Sequence, residues 1–365
     1  MSRRALIVGV SAVVLLILLV WIGGANFVLR TEKGKELIGS VTGRTEILWT
    51  GGWTLVPGVL HLETLEIHGP GRRRDWRLEF EDVTARLSLF DLAARRIRVS
   101  HGDVGALRVI LEPHETRPPR KRKREGPGKW SLVVNRTKVH ELRSFEMGSF
   151  RLETEGRADT GMRMRFGGEM EFPRLDVVLE NTRLEGDGTL LAQVDRVAVL
   201  GAIGPFPMRH AKFSQFLEAV TATVDVRASE AGLQPLDAYF GKVPWLSLSG
   251  AAGNLESHLD LRQGVLQQGS TFDYQGTRLT ATVTDYEIQG TPTVKSSVGE
   301  DGRPRVALSF ADYDLRRQGD ESPYLEGDVL DLEALASSAS LVDPGDFDVV
   351  LDLEKGRVPD FAAYA

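Results

Sequence analysis

Cysteine is absent from the 365 residues of the chain. Its absence excludes disulfides, thiolate metal sites and cysteine nucleophiles, and it suits an oxidising compartment in which a stray thiol is a hazard. The seven histidines are scattered, and no two of them have the spacing of a metal-binding helix. The glycine-rich loops that hold nucleotides and the Gly-x-Ser-x-Gly elbow of serine hydrolases are also missing. We therefore predict no catalytic residue, no metal site and no cofactor, in a protein that is not an enzyme.

A strong excess of one charge is also lacking, since the formal net charge is −6. This mild balance gives no support to bulk binding of nucleic acid, and we predict no nucleic-acid partner. Hydrophobic residues make up 42% of the chain and charged residues 26%, which is typical of a chain that folds.

No charged residue occurs between Arg4 and Arg30, and residues 5–22 are nearly all Val, Leu, Ile and Ala. A helix of about 20 residues crosses the hydrocarbon core of a bilayer, which is roughly 30 Å thick. The stretch therefore predicts a transmembrane anchor. A cleaved signal peptide is the alternative, because two arginines precede the run and small residues follow it, but the run is longer than the usual h-region of about 7–15 residues. The residues expected to lie in the membrane include Leu6, Val13, Leu16, Leu19 and Trp21.

Beyond residue 43 the hydrophobic pattern changes to a period of two, most clearly at residues 220–228 (VTATVDVRA). This alternation is typical of strands with one apolar face, and about twenty such runs can be counted. No stretch after the apolar segment is long enough for a crossover helix, so we predict a mainly β protein with an antiparallel sheet. Short helices are expected at residues 31–43, 90–96, 213–219, 236–240 and 330–339.

The apolar faces of these strands are thin and consist mostly of Val, Ala and Leu. A sandwich or a barrel is the usual way to bury such a face. Threonine and charged residues occupy the other side of the strands with the clearest alternation. The apolar residues on one face of those strands are Val220, Ala222, Val224, Val226, Leu279, Ala281, Val283, Val306, Leu308 and Phe310.

Residues 113–129 are rich in proline and glycine and contain five consecutive basic residues at 120–124. Like charges repel and proline interrupts helices and sheets, so this segment is predicted to be an exposed loop. Contact with anionic lipid and a nuclear-localisation signal are alternative interpretations of its charge.

The chain accordingly divides into an anchor at residues 1–29, a β region with short helices at 30–112, the basic loop, and a second β region at 130–365. A weak repeat occurs in the last region, where residues 232–239 resemble residues 356–364, with Gly and Pro three apart in both. We expect this repeat array to be truncated at its C-terminus.

The order of these parts resembles the N-terminal region of AsmA-like proteins of Gram-negative envelopes. The resemblance rests on the apolar span followed by residues 51–58 (GGWTLVPG), Trp76, residues 85–89 (ARLSL) and residues 96–98 (RIR). Residues 233–270 look like the repeated groove segments of the same superfamily, which is related in architecture to TamB and the chorein-type bridge-like lipid transfer proteins. The resemblance covers nearly the whole chain, but its motifs are apolar alternation with a few Gly, Pro and Trp rather than a catalytic signature.

The resemblance implies a protein of the inner membrane with a single-pass N-in anchor and its bulk in the periplasm. An elongated, curled sheet would form an open apolar groove, lined by the ten residues named above, along which phospholipid moves between the inner and outer membranes in outer-membrane biogenesis. Acyl chains need a continuous apolar face, whereas the headgroup can remain in water. The implied partners are phospholipids, the inner membrane and other envelope proteins. An anchored periplasmic scaffold that helps outer-membrane proteins to assemble is the alternative.

Overall fold

The computed structural model describes residues 22–31, 46–70, 74–88, 90–91, 94–113, 130–148, 150–165, 168–186, 189–207, 213–229, 246–250, 252–283, 285–320, 322–341 and 346–354. It is a mainly β structure in which eighteen strands belong to one sheet. Within these ranges no helix has the length and apolar character that crossing a bilayer requires. The predicted anchor residues Leu6, Val13, Leu16, Leu19 and Trp21 lie outside the described ranges.

Helix α1 comprises residues 22–30, and helix α2, which follows the eighth strand, comprises Phe213–Ala219. The strands before α2 are β1 Glu46–Thr50, β2 Val59–Pro70, β3 Arg74–Leu87, β4 Arg96–Pro113, β5 Ser131–Met147, β6 Phe150–Arg165, β7 Glu169–Gly186 and β8 Thr189–Pro207. After α2 come β9 Val220–Ala228, β10 Leu246–Gly250, β11 Gly253–Arg262, β12 Val265–Leu266, β13 Thr271–Gly276, β14 Leu279–Val283, β15 Tyr286–Val298, β16 Pro304–Arg317, β17 Leu325–Ala336 and β18 Phe347–Glu354.

The predicted helices have different outcomes. Helix α2 confirms the prediction for residues 213–219. The helix predicted at residues 330–339 is wrong, because residues 330–336 belong to β17. Leu, Glu and Ala favour helices, but β17 pairs with β16 on one side and β18 on the other, and this pairing overrides the local preference. The helix predicted at residues 90–96 is helical at 90–91 but wrong at its end, because residues 94–95 form a turn and β4 begins at Arg96. Residues 32–43 and 236–240 fall outside the described ranges.

The prediction of an antiparallel sheet is wrong for β4 and β5, because these two strands are parallel. Leu107 of β4 is paired with Leu142 of β5, and Val104 with Val139. A parallel pair needs a connection of a dozen or more residues, and residues 114–130 provide seventeen. The predicted basic loop supplies most of this connection, and the described ranges do not include residues 114–129.

The chain contains two compact units. Unit 1 consists of Met1–Gly148, Gly156–Pro173 and Pro207–Arg209, and unit 2 of Ser149–Glu155, Arg174–Phe206 and His210–Ala365. In unit 1, β1 to β5 pair in chain order. In unit 2 the pairing order is β8, β9, β11, β13, β15, β16, β17 and β18, and β14 joins β15 and β10. The predicted domain boundaries remain predictions.

The core of unit 1 draws two residues, three positions apart, from each of four neighbouring strands. Trp49, Leu62, Val83, Val104 and Val139 are buried together, and Leu65, Phe80, Leu107 and Leu142 pack against them. Residues three apart in a regular strand point to opposite faces. On β3, Asp82 lies between Phe80 and Val83 and has a φ of 51°. On the neighbouring β4, a Cβ added to Gly105 would lie only 3.0 Å from the Asp82 Cβ. This local kink lets both members of each pair face one core.

Unit 2 contains a second kink of the same construction. Phe310 and Tyr313 of β16 are three apart and buried in one cluster, and Asp312 has a φ of 49°. The register between β15 and β16 shifts at Gly290, where a hypothetical Cβ would lie 3.1 Å from the Ala311 carbonyl oxygen. An Asp in the left-handed region on one strand and a Gly on its neighbour therefore recur in both units.

Candidate functional site

A continuous line of apolar residues crosses seven paired strands of unit 2. Residues directly opposite each other in antiparallel strands project from the same face of the sheet. The line, here named the apolar row, consists of Ala228, Leu255, Tyr274, Val294, Leu308, Leu332 and Leu351, on β9, β11, β13, β15, β16, β17 and β18. Each member is the register partner of the next, so the face is apolar without interruption along this line.

The apolar row is long compared with an acyl chain. Six steps between neighbouring strands, each about 4.8 Å, give a row of roughly 29 Å. The acyl chains of one leaflet fill half of a bilayer core that is about 30 Å thick, which is roughly 15 Å. The row is therefore about twice as long as the acyl chains of one leaflet.

The accessibility of this face changes along the sheet. Ala228 and Tyr274 are buried, whereas Val294, Leu308 and Leu332 are half-buried. Val349, two positions before the last member of the row, is 58% exposed. A second line of register partners lies beside the row and is apolar except for two serines. It consists of Val197, Val226, Ser257, Phe272, Ser296, Val306, Ala334 and Val349.

Charged residues occupy the other face of the same strands. Arg227, Glu256, Asp273 and Lys295 are successive register partners on β9, β11, β13 and β15. The Arg227 Nε lies 3.3 Å from the Glu256 carboxylate. Both side chains are well exposed, so this pair contributes at most about 1 kcal/mol. On these four strands the sheet is thus apolar on one face and charged on the other.

Two tyrosines on the apolar side are almost completely covered. Tyr274 lies in a cluster with Ala228, Leu255 and Val294, and Tyr313 in another with Leu279, Leu308 and Phe310. The Tyr313 ring lies against Gly327, its register partner, where a Cβ would come within 2.7 Å of the ring. Burial raises the pKa of both phenols above the ordinary tyrosine value.

The Tyr313 hydroxyl is a polar atom inside this apolar cluster. The residue is 2% exposed, and its oxygen has no hydrogen-bond partner among the described residues. A buried hydroxyl without a partner loses about 1–3 kcal/mol of solvation that nothing replaces. Sequence alternation alone did not identify Tyr313. In a regular strand Asp312 would share the face of Phe310, but the kink at Asp312 puts Tyr313 on that face instead.

An open cleft of 360 Å³ occurs in unit 2 at the ends of β8, β9, β11 and β13. Its lining is mixed and includes the charged side chains of Asp195, Arg227, Glu256 and Asp273. No group of three or more His, Asp or Glu residues within the described ranges is arranged to hold a metal ion. The apolar row is accordingly the more extended candidate surface.

The structure places the predicted lining residues on three strands of unit 2. Val220, Ala222, Val224 and Val226 are in β9, Leu279, Ala281 and Val283 in β14, and Val306, Leu308 and Phe310 in β16. Leu279, Leu308 and Phe310 meet in one cluster, and Leu308 is a member of the apolar row. Sequence reasoning missed Leu255, Tyr274, Val294 and Leu332, although each lies in a run that alternates with polar residues.

Comparison of the chain with known proteins found no matching protein-family model, no matching curated protein and no matching solved structure. The chemistry of the apolar row is therefore the observation from which a function can be inferred.

Proposed function

We propose that this protein is a membrane-anchored lipid-binding protein that moves phospholipid along the apolar face of unit 2. The apolar row carries the proposal, because it offers an unbroken apolar line on seven strands while charged residues line the opposite face on β9, β11, β13 and β15. The resemblance to AsmA-like proteins points to the same activity. On the strength of this resemblance we also propose an anchor in the inner membrane, the bulk of the chain in the periplasm and movement of lipid between the two membranes of the envelope.

The physical basis is the transfer of acyl chains from one apolar environment to another. Each methylene removed from water contributes about 0.8 kcal/mol, so an acyl chain cannot leave a bilayer without a substitute apolar surface. Half-buried residues such as Val294, Leu308 and Leu332 provide apolar surface that a chain can still cover. The charged headgroup remains in water beyond the edge of the row, so no buried charge is created.

Neighbouring residues on β16 offer a direct test. A photo-cross-linking amino acid is introduced at Leu308, on the apolar row, or at Ala307, which is exposed and projects from the opposite face of the same strand. The full chain is expressed in cells whose phospholipids carry radioactive phosphate, irradiated and separated from free lipid. We expect the adduct with phospholipid to form at position 308 several-fold more than at position 307.

Equal labelling at the two positions, or none at position 308, would contradict the proposal. Cross-links from position 308 to another protein rather than to lipid would replace it with the scaffold function. Solvent extraction and mass spectrometry of the purified chain then identify the lipid class that the row carries.

A further inference from the structure

Three neighbouring segments of unit 1 carry five exposed apolar side chains, here named the apolar tip. Phe27 of α1 is 62% exposed, Leu55 is 62% exposed and Val56 is 57% exposed, and Phe90 is 94% exposed. Trp53 is the fifth member and is exposed as well. Single exposed apolar residues are ordinary on a protein surface, but a cluster that includes two Phe and a Trp marks an interaction site.

Hydrogen bonds hold the segments of the apolar tip together. The Asn26 amide nitrogen donates to the Thr54 carbonyl at 2.8 Å, and the Thr54 backbone N–H donates to the Asn26 side-chain oxygen at 2.9 Å. These two bonds fix α1, and with it Phe27, beside residues 53–55. The Trp53 ring is stacked on His61 with ring centres 4.1 Å apart, so its position is set by β2.

Phe90 is attached to the same end of the unit. The Leu87 backbone N–H donates to the Gly58 carbonyl, and the Ser88 N–H donates to the Arg98 carbonyl, which brings residues 87–88 beside the loop that carries Leu55 and Val56. Asp91 lies within ion-pair distance of Arg98, at 3.6 Å. Phe90 therefore projects from a segment that is fixed on both sides.

The chemistry of the tip matches a bilayer surface. Trp, Phe, Leu and Val with nearby cations are the side chains that enter the boundary between headgroups and acyl chains. Arg30 and Arg95 are exposed in the same two segments, three and five residues from Phe27 and Phe90 respectively. Positive charges of this kind are attracted to anionic headgroups by about 1 kcal/mol each.

The chain that precedes α1 supplies the second argument for this occupant. Residues 5–22 are uncharged and long enough to cross the hydrocarbon core, and they lead directly into α1. We propose that the apolar tip is a membrane-contact surface, which inserts Phe27, Trp53, Leu55, Val56 and Phe90 into the lipid interface and orients unit 1 against the bilayer. This inference rests on the membrane attachment in the proposed function, but not on lipid transfer by unit 2.

The absence of cysteine makes a site-specific test simple. Leu55→Cys in the otherwise unchanged full chain is labelled with a fluorophore that responds to polarity, and the protein is reconstituted into vesicles of phosphatidylcholine and phosphatidylglycerol. Arg108→Cys is the matched control, since Arg108 is exposed in the same unit and lies ten residues from Arg98 along β4, or about 33 Å. Lipids with a spin label near the headgroup should quench the probe at position 55 several-fold more than the probe at position 108.

A third label, at Val13→Cys, separates the two parts of the inference. Quenching at position 13 by deeply placed spin labels, together with quenching at position 55, supports the membrane-contact surface. Quenching at position 13 with positions 55 and 108 equally unquenched would overturn it while leaving the anchor in place. Probes at positions 13 and 55 that are both unquenched would overturn the anchor and the contact surface together. Photo-cross-linking at position 308 is unaffected by failure of the tip, so that outcome is distinguishable from failure of the lipid-binding proposal.

Discussion

Apolar faces occur in both units, and they differ in what covers them. In unit 1, Trp49, Leu62, Val83, Val104 and Val139 are buried in one cluster, and Leu29 of α1 packs against it. In unit 2, Val294, Leu308 and Leu332 are half-buried in the middle of the apolar row. The same alternation of apolar and polar residues thus produces one cluster of five buried residues in unit 1 and, in unit 2, two smaller buried clusters beside a row whose middle members are half-buried.

Helix α1 packs on unit 1 beside Trp49. The Trp49 indole N–H donates to the Leu29 carbonyl at 2.8 Å, and the Leu29 Cβ lies 3.1 Å from a Cβ built at Gly52. These contacts fix one helix against the edge of the unit 1 face. A sheet face becomes a core when an element packs on it, and it remains a binding surface when it stays accessible. The comparison therefore predicts different responses of the two faces to a charge.

The largest effect is expected for a charge in the unit 1 core. Val104→Asp buries a carboxylate among Leu62, Val83 and Val139 with no partner, and it should lower the free energy of unfolding by about 3 kcal/mol or more. Chemical denaturation of the full chain, followed by tryptophan fluorescence, measures the loss. Arg108→Asp, at an exposed position of the same strand, should change it by less than about 0.5 kcal/mol. Similar values for the two variants would contradict the burial of Val104 in the unit 1 cluster.

A charge on the unit 2 face should act on function more than on stability. Val224 of β9 is half-buried and paired with Leu259 and Val199, so Val224→Asp should lower the free energy of unfolding by about 1–2 kcal/mol. Because the new carboxylate lies where acyl chains would pass, transfer of fluorescent phospholipid between vesicles should fall to background. Thr223→Asp, on the opposite face of β9, is the control and should retain transfer. A folded Val224→Asp variant that transfers lipid like the wild type would show that β9 does not contribute to the lipid surface.

Removal of the unpartnered hydroxyl of unit 2 should stabilise the protein. Tyr313→Phe keeps the ring against Gly327 and deletes an oxygen that has no partner among the described residues. We expect the free energy of unfolding to rise by about 1 kcal/mol. Tyr324→Phe is a useful contrast, because the Tyr324 hydroxyl donates to Asp320 on an exposed surface. A loss of stability in Tyr313→Phe would mean that the hydroxyl has a partner in solution.

The same hydroxyl should make stability sensitive to alkali. Because burial raises the pKa of Tyr313 in the folded protein, the unfolded chain releases this proton at a lower pH, near the ordinary value of about 10. The contribution of the protonated Tyr313 to the free energy of unfolding is fully present below pH ~10, and it is lost as the pH rises through the higher pKa of the folded protein. Tyr313→Phe should therefore show a smaller fall in the free energy of unfolding above pH ~10 than the wild type. An identical slope in both proteins would contradict the burial of this phenol.

The smallest effect concerns the kink that both units share. Asp82 and Asp312 occupy the left-handed region, where glycine is at no steric disadvantage, but glycine also loses more chain entropy on folding. The two terms nearly cancel, so Asp82→Gly and Asp312→Gly should each change the free energy of unfolding by about 0.5 kcal/mol or less. Differential scanning calorimetry of the two variants checks this. Unequal effects would show that the two kinks do not have the same energetic role.

Much of the sheet could be predicted from the order of side chains along the chain. The alternation at Val220 to Ala228 corresponds to β9, and the shift of phase between Phe80 and Val83 marks the kink at Asp82. The parallel pairing of β4 with β5 could not be predicted, because alternation identifies strands and says nothing about their partners or direction. The helix predicted at residues 330–339 failed for the same reason, since the ladder of β17 with its neighbours is a contact between distant residues.

The sequence by itself determined the mainly β character, the apolar and polar sides of most strands and the lack of thiol chemistry, because these follow from composition and from a period of two. It also marked residues 5–22 as able to span a bilayer. Only the tertiary structure decided that Ala228, Leu255, Tyr274, Val294, Leu308, Leu332 and Leu351 form one line and that Trp49 joins the buried cluster of unit 1 with Leu29 packed against it. Register and packing depend on which distant segments meet, and local periodicity does not contain that information.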